Sequence, residues 1–224
     1  MPCRKIPIVT GEIYHVFNRS VAHTQIFTTH HDYARAVELI RYYRYGIVPM
    51  RYSHFKRLTQ ECKDAVMDSL IKRAPPVIDI IAYCIMPTHV HFLLKQKTEG
   101  GISMFMRNFQ HSYSKYFNTK YTRYGSLYQS MFKVVRIESD AQLLHVSRYI
   151  HLNPVTAYLL NINNIHTHVW SSYIEYVQGS EPNSFISSSP ILDHFSSKMQ
   201  YKDFVYDQAD YQRQLSYIKH FIYE

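Results

Sequence analysis

The chain is short of cysteine, of acidic residues and of long apolar runs, and each shortage removes a class of protein. Its three cysteines, Cys3, Cys62 and Cys84, are scattered over 224 residues with no close pair. Such spacing builds neither a disulfide framework nor a cysteine-based zinc site, and it fits a reducing compartment. No stretch approaches the ~20 apolar residues that a membrane span requires. The opening Met-Pro-Cys-Arg-Lys-Ile-Pro lacks the apolar stretch of a signal peptide. The expected setting is cytoplasmic. Acidic residues number 17 against 25 Lys and Arg, a balance of +8 before the 14 histidines are counted. A basic excess points to a polyanionic partner without identifying it. Internal repeats, low-complexity blocks and the His-Glu-x-x-His helix of a zinc hydrolase are also missing.

What remains is ample for a folded core: 46% of residues are hydrophobic, and the length fits one domain with elaborations. Tyrosine is abundant at 21 residues, many beside Arg or Lys. That mixture suits stacking on bases and contacting phosphates, and serves equally as semi-buried packing.

Periodicity orders the chain. Residues 11–20 alternate as a strand, with Ile13, His15 and Phe17 on one face and Tyr14 and Val16 on the other. A helix over about 29–45 opens on a capping-box-like Thr29-His30-His31-Asp32 and closes before Gly46 and Pro49. Residues 50–76 read as a basic, irregular, weakly helical insertion. Two apolar strands, 77–86 and 89–95, flank Pro87-Thr88 as a hairpin. A second helix spans about 101–121 on a stripe of Ile102, Phe105, Met106, Phe109, Tyr113 and Phe117. A short strand covers 132–137, and Ser139-Asp140-Ala141-Gln142 opens a third helix. A loop with a short helix follows over 162–180, then a Ser/Pro-rich linker at 180–190 and a helical, Tyr-rich tail. The order β-α-β-β-α-β-α predicts an α+β fold: a ferredoxin-like (RRM-like) split βαβ antiparallel sheet with helices on one face, plus a C-terminal helical extension. The expected division is a domain over 1–178 and a linker with tail over 179–224.

Chemistry concentrates in His89-Val90-His91. Successive side chains on a strand alternate faces, so the two imidazoles project together and make half of a metal site. Tyr149 and Asn153, spaced i, i+4 on the third helix, share a face at adjacent turns. Pro154 disfavours a helical conformation at Asn153, so the helix is expected to end or kink there and free the Asn amide oxygen. Two imidazoles and an amide oxygen form a neutral site with open positions for a divalent cation that polarises a phosphate. A tyrosine one turn away is placed to attack the phosphodiester.

Met86-Pro-Thr-His-Val-His-Phe-Leu-Leu94 resembles the His-hydrophobic-His motif of single-tyrosine HUH transposases. Tyr149-Ile-His-Leu-Asn-Pro-Val155 is similar to the nucleophile segment of their REP-associated tyrosine transposase branch, which Tyr14-His-Val-Phe-Asn-Arg19, Gly125-Ser-Leu-Tyr-Gln129 and Trp170-Ser-Ser-Tyr173 also fit. The resemblance covers about residues 10–178. It implies a metal-dependent endonuclease and transposase that cleaves and rejoins single-stranded, hairpin-flanked DNA through a 5′-phosphotyrosine, with Mg²⁺ or Mn²⁺ as cofactor. It further implies His89 and His91 as metal ligands, Tyr149 as nucleophile and Asn153 as third ligand, where many relatives carry Gln. Expected partners are single-stranded or hairpin DNA and a second copy in a homodimer, with nucleoid association in the cytoplasm. Asn18, Arg19, Arg107, Lys115, Arg123, Lys133 and Arg136 are the expected DNA-binding residues.

Two other readings compete. Tyr113 lies on the second helix, where other single-tyrosine transposases of this kind carry their nucleophile, but its i+4 neighbour is Phe117 and it continues the apolar stripe. The second His-x-His, His166-Thr167-His168, sits in an Asn-rich stretch and reads as exposed loop. As a whole, the alternative is a non-catalytic single-stranded nucleic-acid-binding module with an RRM-like sheet, although no RNP-type aromatic motif is readable on its strands.

Overall fold

A computed structural model describes residues 7–207 apart from 74, 182 and 183. Four strands, β1 (Ile13–Arg19), β2 (Ile78–Met86), β3 (His89–Gln96) and β4 (Lys133–Arg136), form one antiparallel sheet in the order β2-β3-β1-β4. The helices are α1 (His30–Tyr43), α2 (Tyr52–Phe55), α3 (Gln60–Arg73), α4 (Gly101–Lys120), α5 (Asp140–Thr156), α6 (Tyr173–Gln178), α7 (Ser189–Leu192) and α8 (Lys198–Tyr206). The expected insertion is therefore a helical one, carrying α2 and the 14-residue α3. Its anchor is aromatic: Tyr52 and Phe55 pack on Tyr42 of α1 with ring centroids 5.3 and 4.8 Å apart.

Strand alternation splits the interior into two cores. Val16, Phe92 and Leu94 point to the side covered by α1 and α4, where they meet Phe105, Phe109 and Tyr113. Ile81, Cys84, Met86 and Leu93 point the other way, onto Leu143, Ile150 and Val155 of α5 and onto Tyr173, Tyr176 and Tyr201 from α6 and α8. Helices thus lie on both faces of the sheet. The two helices expected on one face are there, and α5 closes the opposite face. The sequence pattern did not separate these layers because β2 and β3 are apolar on both sides, the signature of a doubly covered sheet.

Two capping features fix the helix that matters most. Ser139 caps α5 by accepting from the Gln142 backbone N–H, and the Gln142 side chain reaches back to the N–H of Glu138, one residue earlier than a closed capping box uses. At the other end α5 does not stop at Asn153 as expected but continues through Pro154 to Thr156. Burial explains this. Leu152, Pro154 and Val155 are packed away from solvent, and that packing overrides the proline's local preference against the helix. The free edge of β2 is covered by residues 170–172, with Ile85 N–H donating to Trp170 O and Ser172 N–H to Tyr83 O. The Ser/Pro-rich segment also packs on β2: Ile186 bridges Ile80, and Ser187 N–H donates to Ile80 O. The tail is helical over α8, and its continuation beyond 207 lies outside the described residues.

Candidate functional site between the sheet and helix α5

The site grows from strand register. In the β1–β3 pair Phe17 faces His91 and Arg19 faces His89, and β2 places Cys84 beside His91. Residues directly opposite share a face. His15, Phe17 and Arg19 therefore line up beside His89 and His91 on the side that α5 covers. Helix α5 then lowers Tyr149 onto this row, its ring 5.6 Å from that of His91 and 5.9 Å from that of His15. One turn on, the Asn153 amide nitrogen donates to Tyr149 O at 2.9 Å. The same side chain raises His89 and lowers the Tyr149 phenol, so it is close enough to act on both. The four residues singled out in the sequence thus meet in one place.

Both motif histidines are held at Nδ1. Thr88 Oγ1 lies 2.9 Å from His89 Nδ1, and His15 Nε2 lies 2.9 Å from His91 Nδ1. A metal-ligating histidine characteristically uses one ring nitrogen for the ion and binds a neighbour with the other. Burial drives all three rings to the neutral form. His15 and His89 are lowered to about 4, the latter further opposed by the Arg19 charge, and His91 falls well below its ordinary value through burial and the nearby His89, His15 and Arg19. Neutral imidazole is the ligating form. Tyr149 is pushed up by burial, against which Arg19 and Asn153 pull it down. Among the described residues no cluster of three His, Cys, Asp or Glu is placed to hold an ion.

Tyr113 is on the other side of the sheet. Its ring packs on Phe27, and its hydroxyl donates to Ile26 O at 2.5 Å. Burial pushes its phenol far above the ordinary value. Tyr113 is core. Of the second His-x-His pair, His166 is exposed, but His168 is half-buried and bonded to Ile85 O at 3.0 Å, which corrects the reading of both as solvent-facing.

The expected DNA contacts separate into groups. Arg19 and Lys133 lie on the histidine face, Lys133 paired with Phe17 across β1–β4, and both are exposed. Arg107 and Lys115 are exposed on α4, beyond the opposite face. Arg123 braces the 118–126 turn through Asn118 Oδ1 and Ser126 O. Arg136 pairs with Glu12 at 2.9 Å on the far face. Asn18 is only 3% exposed; it donates to Gln129 O and accepts from Arg19 N–H, so it holds the 125–129 loop against β1. His15 is the residue the sequence reading passed over. Its one signal was the shared face with Ile13 and Phe17.

Residues 37–153 match the family of IS200-like transposases. The match spans more than half of the chain and includes His89, His91, Tyr149 and Asn153. The chain belongs to the IS200-like transposases. A solved structure of a REP-associated tyrosine transposase bound to a REP hairpin has 15% identity and a TM-score of 0.52, covering 84% of this chain and 96% of that one. At that identity the likeness is one of fold. No curated protein matches.

Proposed function

We propose that the protein is a metal-dependent single-stranded DNA endonuclease and transposase of the REP-associated tyrosine branch, acting at hairpin-flanked sites through Tyr149. The observation that carries this reading is the convergence of Tyr149 and Asn153 from α5 onto His89 and His91 of β3, on a face that Arg19 and Lys133 make basic. The strand order β2-β3-β1-β4, with α1 and α4 on one face, supports a ferredoxin-like reading of the sheet.

His89 and His91, each with Nδ1 already engaged, and the Asn153 amide oxygen would hold a divalent cation; the amide and substrate phosphate oxygens suit Mg²⁺ or Mn²⁺, and the imidazoles favour Mn²⁺ of the two. When bound, the ion supplies Lewis-acid polarisation of the scissile phosphate. The remaining work falls to the chain. Tyr149 Oη attacks phosphorus as its proton leaves, and the bond from phosphorus to the 3′ oxygen breaks. The departing oxygen takes a proton to become a 3′-hydroxyl, and the 5′ phosphate stays on Tyr149. Attack by a different 3′-hydroxyl reverses the step and joins new strands. Arg19 favours the phenolate by its charge, while Asn153 fixes the helix turn that carries the nucleophile.

Single-stranded hairpin DNA labelled at its 5′ or 3′ end, incubated with the protein and Mn²⁺, is expected to give a covalent band only with the fragment downstream of the nick. Tyr149→Phe is expected to bind the DNA and form no adduct. Adduct formation that persists in Tyr149→Phe overturns the assignment, and binding without any adduct in the native protein favours a non-catalytic module.

A further inference from the structure

His15 is a half-buried histidine with no part in the proposed cleavage step. It sits on β1 opposite Leu93, with His91 opposite Phe17, so the two imidazoles are diagonal neighbours on one face. Their rings stack with centroids 5.2 Å apart and planes 20° apart, and His15 Nε2 meets His91 Nδ1 at 2.9 Å. A hydrogen bond between two ring nitrogens 2.9 Å apart needs one of them protonated and the other bare. Two arrangements are open. If His15 Nε2–H donates, the proton of His91 sits on its own Nε2. If His91 Nδ1–H donates, Nε2 of His91 keeps a free lone pair.

The ligand role chooses between them. Ligation through Nε2 requires that nitrogen to be bare, so the proton of His91 then sits on Nδ1, where His15 Nε2 lies 2.9 Å away. An unconstrained histidine prefers the Nε2–H tautomer, the wrong one for ligation through Nε2. Something must hold His91 in the other form.

We infer that His15 is a positioning residue that accepts the Nδ1–H of His91 and thereby keeps the Nε2 lone pair of His91 facing the proposed cation site. The inference rests on the reading of His91 as a ligand, and it gives β1 a role in the site although β1 lies outside the family match. His15 touches neither the ion nor the DNA; it acts through His91, as outer partners of ligating histidines do. Thr88 stands in the equivalent place for His89.

Long-range ¹H–¹⁵N spectra of the metal-free protein read the tautomer directly, before any substitution. The expected result is His91 protonated at Nδ1 and bare at Nε2. His91 protonated at Nε2 in the native protein overturns the inference. Mn²⁺ titration followed by EPR then compares variants: His15→Ala is expected to weaken binding by about 10–100-fold. His15→Gln, whose amide oxygen is an acceptor, is expected to restore most of the affinity and the native His91 tautomer. Unchanged tautomer and affinity in His15→Ala overturn the inference, as does a third imidazole nitrogen on Mn²⁺ that vanishes in that variant. A native protein that holds the Nδ1–H tautomer yet binds no Mn²⁺ sinks the metal reading and leaves the positioning bond standing.

Discussion

Tyr149 and Tyr113 are both tyrosines on helices packed against one sheet, and that sheet lies between them. Tyr149 lies over His15 and His91, with Asn153 one turn away. Tyr113 lies behind the sheet with its hydroxyl spent on Ile26 O. Removing that hydroxyl leaves a buried carbonyl unpaired. Tyr113→Phe is therefore expected to lose about 1–3 kcal/mol of stability in urea unfolding while forming the DNA adduct at the native rate. Loss of the adduct in a well-folded Tyr113→Phe would return the nucleophile to α4. The i, i+4 pairing of Tyr149 with Asn153 was legible because both sit on one helix. The His15–His91 bond joins residues 76 positions apart, and no local spacing announces it.

At the scale of elements, α5 is the part that must be held still. Its back face carries a polar network behind Tyr149: His151 Nδ1 meets Tyr201 Oη at 2.7 Å, and His151 Nε2 meets Ser172 Oγ at 2.8 Å. Beside it the Arg148 guanidinium lies 4.2 Å over the Phe204 ring and bonds Phe204 O. Helix α8 thus grips α5 at the residue before Tyr149 and again two residues after it. Tyr201→Phe strips the partner from a fully buried histidine nitrogen, and a loss of about 1–3 kcal/mol is expected. For a chain of this size that corresponds to a fall of several degrees in thermal midpoint, readable by calorimetry. An unchanged midpoint would show that α8 does not brace α5. The capping residues Thr29 and Ser139, the hairpin at Pro87-Thr88 and the apolar stripe of α4 were readable from sequence, because each is a local pattern. The continuation of α5 past Asn153 was not, because burial of Pro154 and Val155 is a tertiary term that outweighs a local preference.

Across the described residues, the shifted histidines and Asp32 differ in acid sensitivity. His15, His89 and His151 are lowered by burial to about 4, 4 and 3, and His91 also falls. The unfolded chain binds protons at these positions near 6.5 while the folded protein does not, so stability holds above that pH and is lost as pH falls toward 4. Each histidine contributes up to about 1.4 kcal/mol per pH unit in that window. Asp32 is the other case. Burial raises it, but hydrogen bonds from Lys120, Tyr121, Thr29 and Thr28 outweigh burial and hold the carboxyl well below its ordinary range. Its contribution is present above about pH 4 and is lost below it. Chemical denaturation from pH 8 to 3 is expected to show the midpoint falling from about pH 6.5 downward, and an added Mn²⁺-dependent rise at neutral pH that fades as the site histidines protonate. A midpoint flat between pH 7 and 5 would contradict the neutral, buried histidines.

By itself the sequence determined the pieces whose signals are periodic or contiguous: four strands, the helices that flank them, the paired His89 and His91, and the shared face of Tyr149 and Asn153. Alternation on a strand and a turn of 3.6 residues on a helix fix these within a few positions. The tertiary structure alone decided which strands are neighbours, which face α5 covers, that His15 and Arg19 lie beside His89 and His91, that Asn18 is buried and that α8 packs on α5 beside Tyr149. Those facts depend on register and burial between segments far apart in the chain, where the free energy of packing, and no local propensity, selects the arrangement.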